Sequence, residues 1–388
     1  MLASEVITEL PELDPLESAW DELAVANRLP LMSPACVMAW WRHLAPPGAE
    51  PRIVAVRDGE QLVGLAPFYV YRRRWGGGLG LRLPGIELAG RLAPLAVPGR
   101  ERAVAQALGR ALTGSDPRPD LVTLEGMPIT SDWAAALREA WPGRLRPASR
   151  RYQVSGCPTV SLNAGSFDGW LSAKSWNFRR EMRRLRRQFV AAGGTTRSST
   201  LETLQSDVDV FVRLHVSRWE SRGGSHFVGL GAGLAAVLND IGQTLLNKEG
   251  RFRLRLLEVE AEPISAQLFL AAGDRVLYVN GGWDERFAKL KPSMLGILGV
   301  IEDAFERVEE HVDLGLEEQQ YKLRFADGSD PVAWTILIPA GVRLPLTLLH
   351  TAPIRGRAAL RNTLKTRLSE KQLSRFLRAR ERLRDLDG

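Results

Sequence analysis

The residues of this chain best suited to chemistry fall between Leu277 and Phe325. The order there reads as a strand from Leu277 to Asn280, a loop carrying Gly281, Gly282, Asp284, Lys289 and Lys291, and a helix opening at Pro292. A short strand ending at Asp313 and a polar turn into Tyr321, Lys322 and Arg324 follow. A strand feeding the amino end of a helix gathers backbone N–H groups around an anion, because the first turn's donors have no partner within the helix. The nature of that anion decides what the chain does. No Ser-His-Asp or Cys-His arrangement is evident, which argues against a covalent enzyme intermediate. Cys36 and Cys157 supply neither a disulfide framework nor a metal-ligand pair at short spacing, so no metal is expected.

Three other features bear on anions. Arg179 to Arg187 carries six arginines and one glutamate, while Phe178, Met182, Leu185 and Phe189 form one apolar stripe at helical spacing. The bland reading is a solvated helix face with aliphatic stems laid over a groove; the functional one is a surface for phosphate, anionic glycan or nucleic acid. Arg73, Gly76 and Gly78 match the R-x-x-G-x-G pattern with which some acyl-CoA enzymes wrap a pyrophosphate. That mechanism needs the loop to open a helix, and the following Leu79 to Leu83 with Pro84 reads as strand and turn, so a plain loop is expected. Gly229, Gly231 and Gly233 lack a preceding strand. A lone histidine on a helix, such as His215 between Asp207 and Arg222, is more often structural than catalytic.

The elements that must position these residues suggest two related units. Residues 1–50 read as mainly helical, with Leu16, Ala19, Trp20 and Leu23 at helical spacing and a second helix from Pro34 to Leu44. Arg52 to Val56 is a short apolar-polar alternation, Arg57-Asp58-Gly59-Glu60 has hairpin chemistry, and Gln61 to Tyr71 continues as a long strand. Helices at Arg100 to Leu112 and Ser131 to Trp141 flank a buried strand from Asp120 to Glu125, an α/β or α+β signature. After a Pro/Gly/Arg-rich boundary near 150 and a strand at Thr159 to Leu162, one long helix is expected over 167–192. Strands at Arg253 to Glu260, Ile264 to Ala271 and Val276 to Asn280 then repeat the first hairpin's pattern, and Ile336 to Ile338 is a last strand. The division is 1–150, 151–345 and an Arg-rich helical tail, 346–388, with an apolar stripe at Leu360, Leu364 and Leu368.

Charge sharpens this picture. The net +7 resides in the tail, where residues 355–388 hold eleven Lys or Arg and four acids. An acidic amino terminus without an apolar run, and no stretch of about 18 uncharged apolar residues, predict a cytoplasmic protein that does not span a membrane.

The hairpin from Gly59 to Phe68, the run Trp176-Asn177-Phe178-Arg179-Arg180, and Leu214-His215 with Arg218-Trp219 recur in an order that resembles a known family. So do Tyr278 to Asp284 before a Pro-initiated helix and Asp313-Leu314-Gly315 eight residues before Tyr321-Lys322-Leu323-Arg324-Phe325. Over roughly residues 15–335 the chain resembles the GNAT-superfamily acyltransferases of the CelD/BcsL-like type, linked to extracellular polysaccharide biosynthesis. The resemblance implies two tandem GNAT-like domains, each a mixed, mostly antiparallel sheet flanked by helices, similar to the Fem-type aminoacyl transferases. It also implies acyl-CoA, acetyl-CoA above all, as donor. Two positions depart from the pattern: the helix opens Lys291-Pro292-Ser293 where the family usually has Pro-Gly, and Glu317 stands where a second glycine is common.

With an acyl thioester as donor, an amine attacks a carbonyl already activated by sulfur, so the protein need only position, deprotonate and protonate. In the GNAT mode Val279 and Asn280 would hydrogen-bond the pantetheine arm, and Lys289, Lys291 and Ser293 would hold pyrophosphate. Glu258, Glu260 and Asp284 are the candidate bases, and Tyr321 the candidate acid for the departing thiolate. His215, Trp219, Gln267 and Lys322 are candidates for contact with the substrate, and Asp313 with Lys322 could equally form an ion pair. Two other readings stand beside transfer from acyl-CoA to an amine or glycan acceptor. One is Fem-type transfer from aminoacyl-tRNA, with Arg179–Arg187 and the tail facing the RNA or another acidic surface. The other is a catalytically silent binding module in an assembly system.

Overall fold

The computed structural model describes residues 2–72, 78–143, 145–220, 225, 227–248, 250–349 and 351–352. Arg73 and Gly76 of the glycine motif, and the basic tail beyond 352 with its leucine stripe, lie outside the described residues.

The first unit opens with an edge strand, β1 (Ala3–Ile7), where helix was expected. Only Ile7 of its five residues is buried, so it has no alternation to betray it. Helices α1 (Glu17–Ala26) and α2 (Pro34–His43) precede the expected hairpin of β2 (Glu50–Asp58) and β3 (Gln61–Arg72), turned at Gly59 with φ +60°. Strand β4 (Leu79–Arg82) pairs antiparallel with β3 on the flank away from β2, and β5 (Leu95–Ala96) pairs with β3 on that same flank at Gly64 and Leu65. Helix α3 (Glu101–Gly114) then crosses over to β6 (Leu121–Pro128), which runs parallel to β4. Helix α4 (Trp133–Ala140) and β7 (Ala148–Ser155) follow.

The second unit repeats that plan. After β8 (Pro158–Ser161), the expected single helix is two, α5 (Phe167–Ala173) and α6 (Trp176–Ala191), because Ser175 stops one and caps the next by accepting the Phe178 amide at 3.3 Å. Strand β9 (Gly194–Ser198) and helices α7 (Leu204–Glu220) and α8 (Ala232–Leu245) lead to the hairpin of β10 (Phe252–Val259) and β11 (Glu262–Ala272). Its two turn residues, Glu260 and Ala261, both take positive φ, the twist that closes a two-residue hairpin. Strand β12 (Arg275–Trp283) pairs antiparallel with β11. Helix α9 (Pro292–Glu306) crosses over, and β13 (His311–Asp313) runs parallel to β12. Short α10 (Gln320–Leu323), β14 (Gly328–Ser329) and β15 (Val332–Ile338) follow. Hairpin, third antiparallel strand, helix and parallel strand therefore occur twice in the same order.

The sheets run β1-β2-β3-β4-β6-β15-β7, with β5 beside β3, and β14-β8-β13-β12-β11-β10-β9. Strand β15 inserts between β6 and β7 of the first sheet, so the chain leaves that sheet at Ser155, builds the second, and returns. Strand pairing thus crosses the division drawn near 150 and 345: a last strand's sheet is set by its neighbours, not by its own residues.

The second sheet is covered on both faces. Leu254, Leu256, Leu268 and Leu277 join one core with α1, α2, α7 and α8, and the alternate residues Leu257, Ile264, Phe269 and Val276 join another with α6 and α9. The α6 stripe of Phe178, Met182, Leu185 and Phe189 is buried as its spacing predicts, which leaves most of the arginines outside.

Candidate functional site

The site begins where β12 and β13 part. Their pairing covers only Arg275–Leu277 against His311–Asp313. Beyond it, Gly315 takes φ +74°, and a Cβ there would lie 2.9 Å from the Tyr278 carbonyl oxygen, so the turn after β13 presses on β12 in a way that glycine allows. Strand β12 carries a bulge at the same level: Phe269 opposes Tyr278 and Leu268 opposes Asn280, leaving Val279 without an opposite residue. A bulge re-aims the side chains around it. Asn280 Oδ1 accepts the Gly281 amide at 2.9 Å. Past Leu277, β12 is therefore no longer paired with β13, and the chain runs on from its end at Trp283 toward the start of α9.

Five aromatic and cationic groups gather at the parting. The Tyr278 and Tyr321 phenols are hydrogen-bonded to each other and lie in the field of Arg218, whose guanidinium stacks 4.3 Å from the Trp283 ring centre. Burial pushes Tyr321 up to about 12, opposed in part by Arg218 and by the bond to Tyr278. Both phenols stay protonated through the neutral range. Lys322, beside Tyr321, is almost wholly buried; its ammonium donates to the Leu316 carbonyl at 2.7 Å and lies 5.6 Å from the Tyr278 ring centre. Burial lowers Lys322 to about 8, against the raising influence of Glu317 and Asp313.

A stability consequence follows from Lys322. Its folded pKa is below the unfolded value, so the unfolded chain binds more protons between about pH 8 and 10.5, and stability rises with pH across that window. Lys322→Met is expected to gain about 2 kcal/mol at pH 7, the desolvation penalty less one lost hydrogen bond. It should also flatten the rise above pH 8; urea unfolding at pH 7 and pH 10 measures both.

The start of α9 has a different electrostatic character from that expected. Lys291 takes a left-handed conformation (φ +48°) just before Pro292, and its ammonium pairs with Glu181 of α6. Arg324 pairs with the same carboxylate, and these two cations hold Glu181 at about 2, well below the carboxylate range. Lys289 is exposed on the 3-10 turn Glu285–Leu290, and Ser293 is half-buried in the helix's first turn.

The other predicted residues have internal work. Gln267 is fully buried; its Nε2 donates to the Ser293 carbonyl at 3.0 Å, tying the start of α9 to β11 instead of facing a substrate. His215 is fully buried between the Gly281 carbonyl (3.2 Å) and the Ser225 hydroxyl (2.7 Å) and stacks on Phe211, the structural arrangement. Trp219 is half-buried, 6.2 Å from the His215 ring. Glu258 is held by Arg197 at 2.8 Å, and that arginine also grips Asp207 in the first turn of α7. Arg218, eleven residues along the same helix, is about 16 Å away by helical rise, so Glu258 belongs to the far end. Asp284 accepts the Arg286 amide and guanidinium at 2.9 Å, which lowers its pKa: it caps a turn, and a base so paired is a weak one. Asp313 bonds Arg91, not Lys322. Two residues not singled out for the site, Tyr278 and Arg218, stand at its centre, and the only sequence hint was their place in the runs Tyr278 to Asp284 and Leu214 to Trp219. Among the described residues, no group of three or more His, Cys, Asp or Glu could hold a metal ion, and no helix is long and apolar enough to cross a membrane.

Comparison with known proteins bears on the same region. Residues 177–323 match the model of the acetyltransferase (GNAT) domain. No curated protein matches the chain. The crystal structure of FemX superposes with a TM-score of 0.61 at 11% identity, over 89% of this chain and 99% of that one. The structure of L-PGS from Bacillus licheniformis gives 0.54 at 12% identity, over 91% and 99%, and a conserved protein of unknown function from Bacteroides thetaiotaomicron 0.52 at 9%, over 87% and 100%. At such identities the likeness is one of fold. Residues 177–323 are thus similar to the acetyltransferase (GNAT) domain, within a fold of two mixed sheets flanked by helices that FemX shares.

Proposed function

We propose that the protein is an N-acyltransferase that moves an acyl group, acetyl first among them, from acyl-CoA to an amine or sugar acceptor. The parting of β12 from β13 beside the Val279 bulge carries this reading, because it opens backbone groups of one strand toward a slot that ends at a helix start. Tyr278 to Asn280 would line the pantetheine arm, and Lys289, Lys291 and the first turn of α9 the phosphates. An acyl thioester bound there supplies an activated carbonyl. Tyr321 then serves as proton donor on the thiolate side, while Arg218 offsets negative charge on the phenol pair. No carboxylate base stands free at the parting among those considered, since Glu258 and Asp284 are ion-paired and Glu260 lies in the hairpin turn, so an acceptor amine entering as free base is the simpler course. The family resemblance points to acceptors of polysaccharide or envelope assembly, and the donor to the cytoplasm.

Calorimetric titration with acetyl-CoA and longer acyl-CoA tests the reading. Lys291→Glu is expected to weaken binding at least tenfold. Glu181→Gln, which releases Lys291 and Arg324, is expected to tighten it several-fold. A wild-type chain that binds no CoA ends the proposal.

One observation favours a second reading. Trp176, Arg179, Arg180, Arg183 and Arg187 line a hollow of about 310 Å³ along α6. Among the described residues, no carboxylate pairs with Arg180, Arg183 or Arg187, which suits a phosphodiester chain and Fem-type transfer from aminoacyl-tRNA. Salt-sensitive tRNA binding without any CoA binding would select that reading.

A further inference from the structure

Arg91 belongs to the loop between β4 and β5 of the first unit, yet its charge is satisfied in the second. It is almost wholly buried: Nε donates to Asp313 Oδ2 at 2.8 Å, Nη2 to the Asp330 carbonyl at 2.7 Å, and Nη1 lies 3.1 Å from Asp330 Oδ2. Asp313 ends β13, and its other oxygen, Oδ1, accepts the Gly315 amide at 2.9 Å. A single carboxylate thus joins the first unit's loop to the left-handed turn that presses on Tyr278.

The neighbouring contacts hold the same turn. A Cβ on Gly90 would fall 2.2 Å from Leu316 Cγ, so the loop backbone rests on that side chain. The Leu316 carbonyl in turn receives Lys322 Nζ. The loop is itself fixed to the first sheet, where the Leu92 amide donates to Gly126 at 3.1 Å, and a Cβ on Gly126 would stand 2.4 Å from the Gly90 carbonyl oxygen. Sheet one, loop 90–92, turn 313–317 and α10 form one chain of rigid contacts ending at Tyr321. Buried ion pairs of this kind fix geometry more than they add net stability.

We propose that the first unit sets the opening of the second unit's cleft through this contact, with Arg91 as a positioning residue that holds the Gly315 turn and α10 against Tyr278. The inference rests on the reading of the β12–β13 parting as the acyl-transfer cleft. It makes the first unit part of the site's construction.

Hydrogen exchange by mass spectrometry over residues 313–325 of the full chain, with calorimetric CoA titration alongside, tests it. Gly90→Ala should raise exchange there at least tenfold and weaken CoA binding about tenfold. Adding Leu316→Ala removes the group that the new methyl meets and should restore both. Arg91→Lys keeps the charge but loses the fork, and should act in the same direction. Wild-type exchange in both Gly90→Ala and Arg91→Lys overturns the proposal, as does raised exchange with unchanged CoA affinity. Should the wild-type chain bind no CoA, the acyl-CoA reading fails by itself, and raised exchange reversed by Leu316→Ala still supports the positioning role.

Discussion

Tyr321→Phe is expected to lower kcat for acyl transfer about a hundredfold while leaving KM for the donor within about twofold, the pattern of an interaction made only in the transition state. Phenylalanine keeps the packing against the second core and removes only the hydroxyl. The expectation carries a condition from the site's electrostatics. With Tyr321 pushed up to about 12, the phenol is a weaker acid than a free tyrosine, and its role depends on Arg218 beside it. A pH profile separates it from the adjacent lysine. Tyr321 does not titrate below pH 10, so a proton donor at that position gives kcat no basic limb near 8, whereas Lys322, lowered to about 8, would give one. A basic limb near 8 that persists in Tyr321→Phe and vanishes in Lys322→Met moves the acid to the lysine. Unchanged kcat in Tyr321→Phe removes the phenol from the mechanism.

What the sequence disclosed and what it concealed divide along physical lines. Features written in local sequence were legible: the α6 stripe from Phe178 to Phe189, the hairpin turned at Gly59, the Pro-initiated α9 after a strand. Local chemistry was legible too, since Asp284 and Arg286 lie two residues apart and the turn they form could be anticipated. Features set by register were not. The Val279 bulge exists only as an offset between Phe269–Tyr278 and Leu268–Asn280, and β15 gives no sign in its own residues that it returns to the first sheet. Polar edge strands such as β9, Gly-Thr-Thr-Arg-Ser, have no buried face to produce alternation. Contacts across long separations were hidden altogether: Arg91 meets Asp313 over 222 residues, and Glu181 reaches Lys291 over 110. Glu317 shows the converse. It departs from the glycine of the family pattern, and the structure places it at φ +73°, the conformation that glycine takes freely.

Gly282→Ala is expected to destabilise the fold by about 3 kcal/mol or more, at the upper end of overpacking costs. A Cβ at this buried position in β12 would stand 2.4 Å from the His215 amide nitrogen and 2.5 Å from the Leu214 carbonyl carbon. Both are helix backbone, so no side-chain rotation relieves the clash and α7 must move away from the strand. The movement reaches the site, because Arg218 lies one turn beyond His215 and its place over Trp283, on the strand just after Gly282, depends on that close approach. Transfer activity should therefore fall in Gly282→Ala even under conditions where circular dichroism reports a folded chain. Gly114→Ala is the control: it ends α3 with nothing within 4 Å, and should unfold with the wild type within about 0.5 kcal/mol. Equal urea midpoints together with unchanged activity for Gly282→Ala and the wild type would mean that α7 does not pack on β12 this closely. Lost activity with an unchanged midpoint would show the strand–helix distance to matter to Arg218 more than to the fold. The absence of a side chain at residue 282 lets α7 approach β12 closely enough to set Arg218 over Trp283 beside the two phenols, which is what the proposed reaction requires of it.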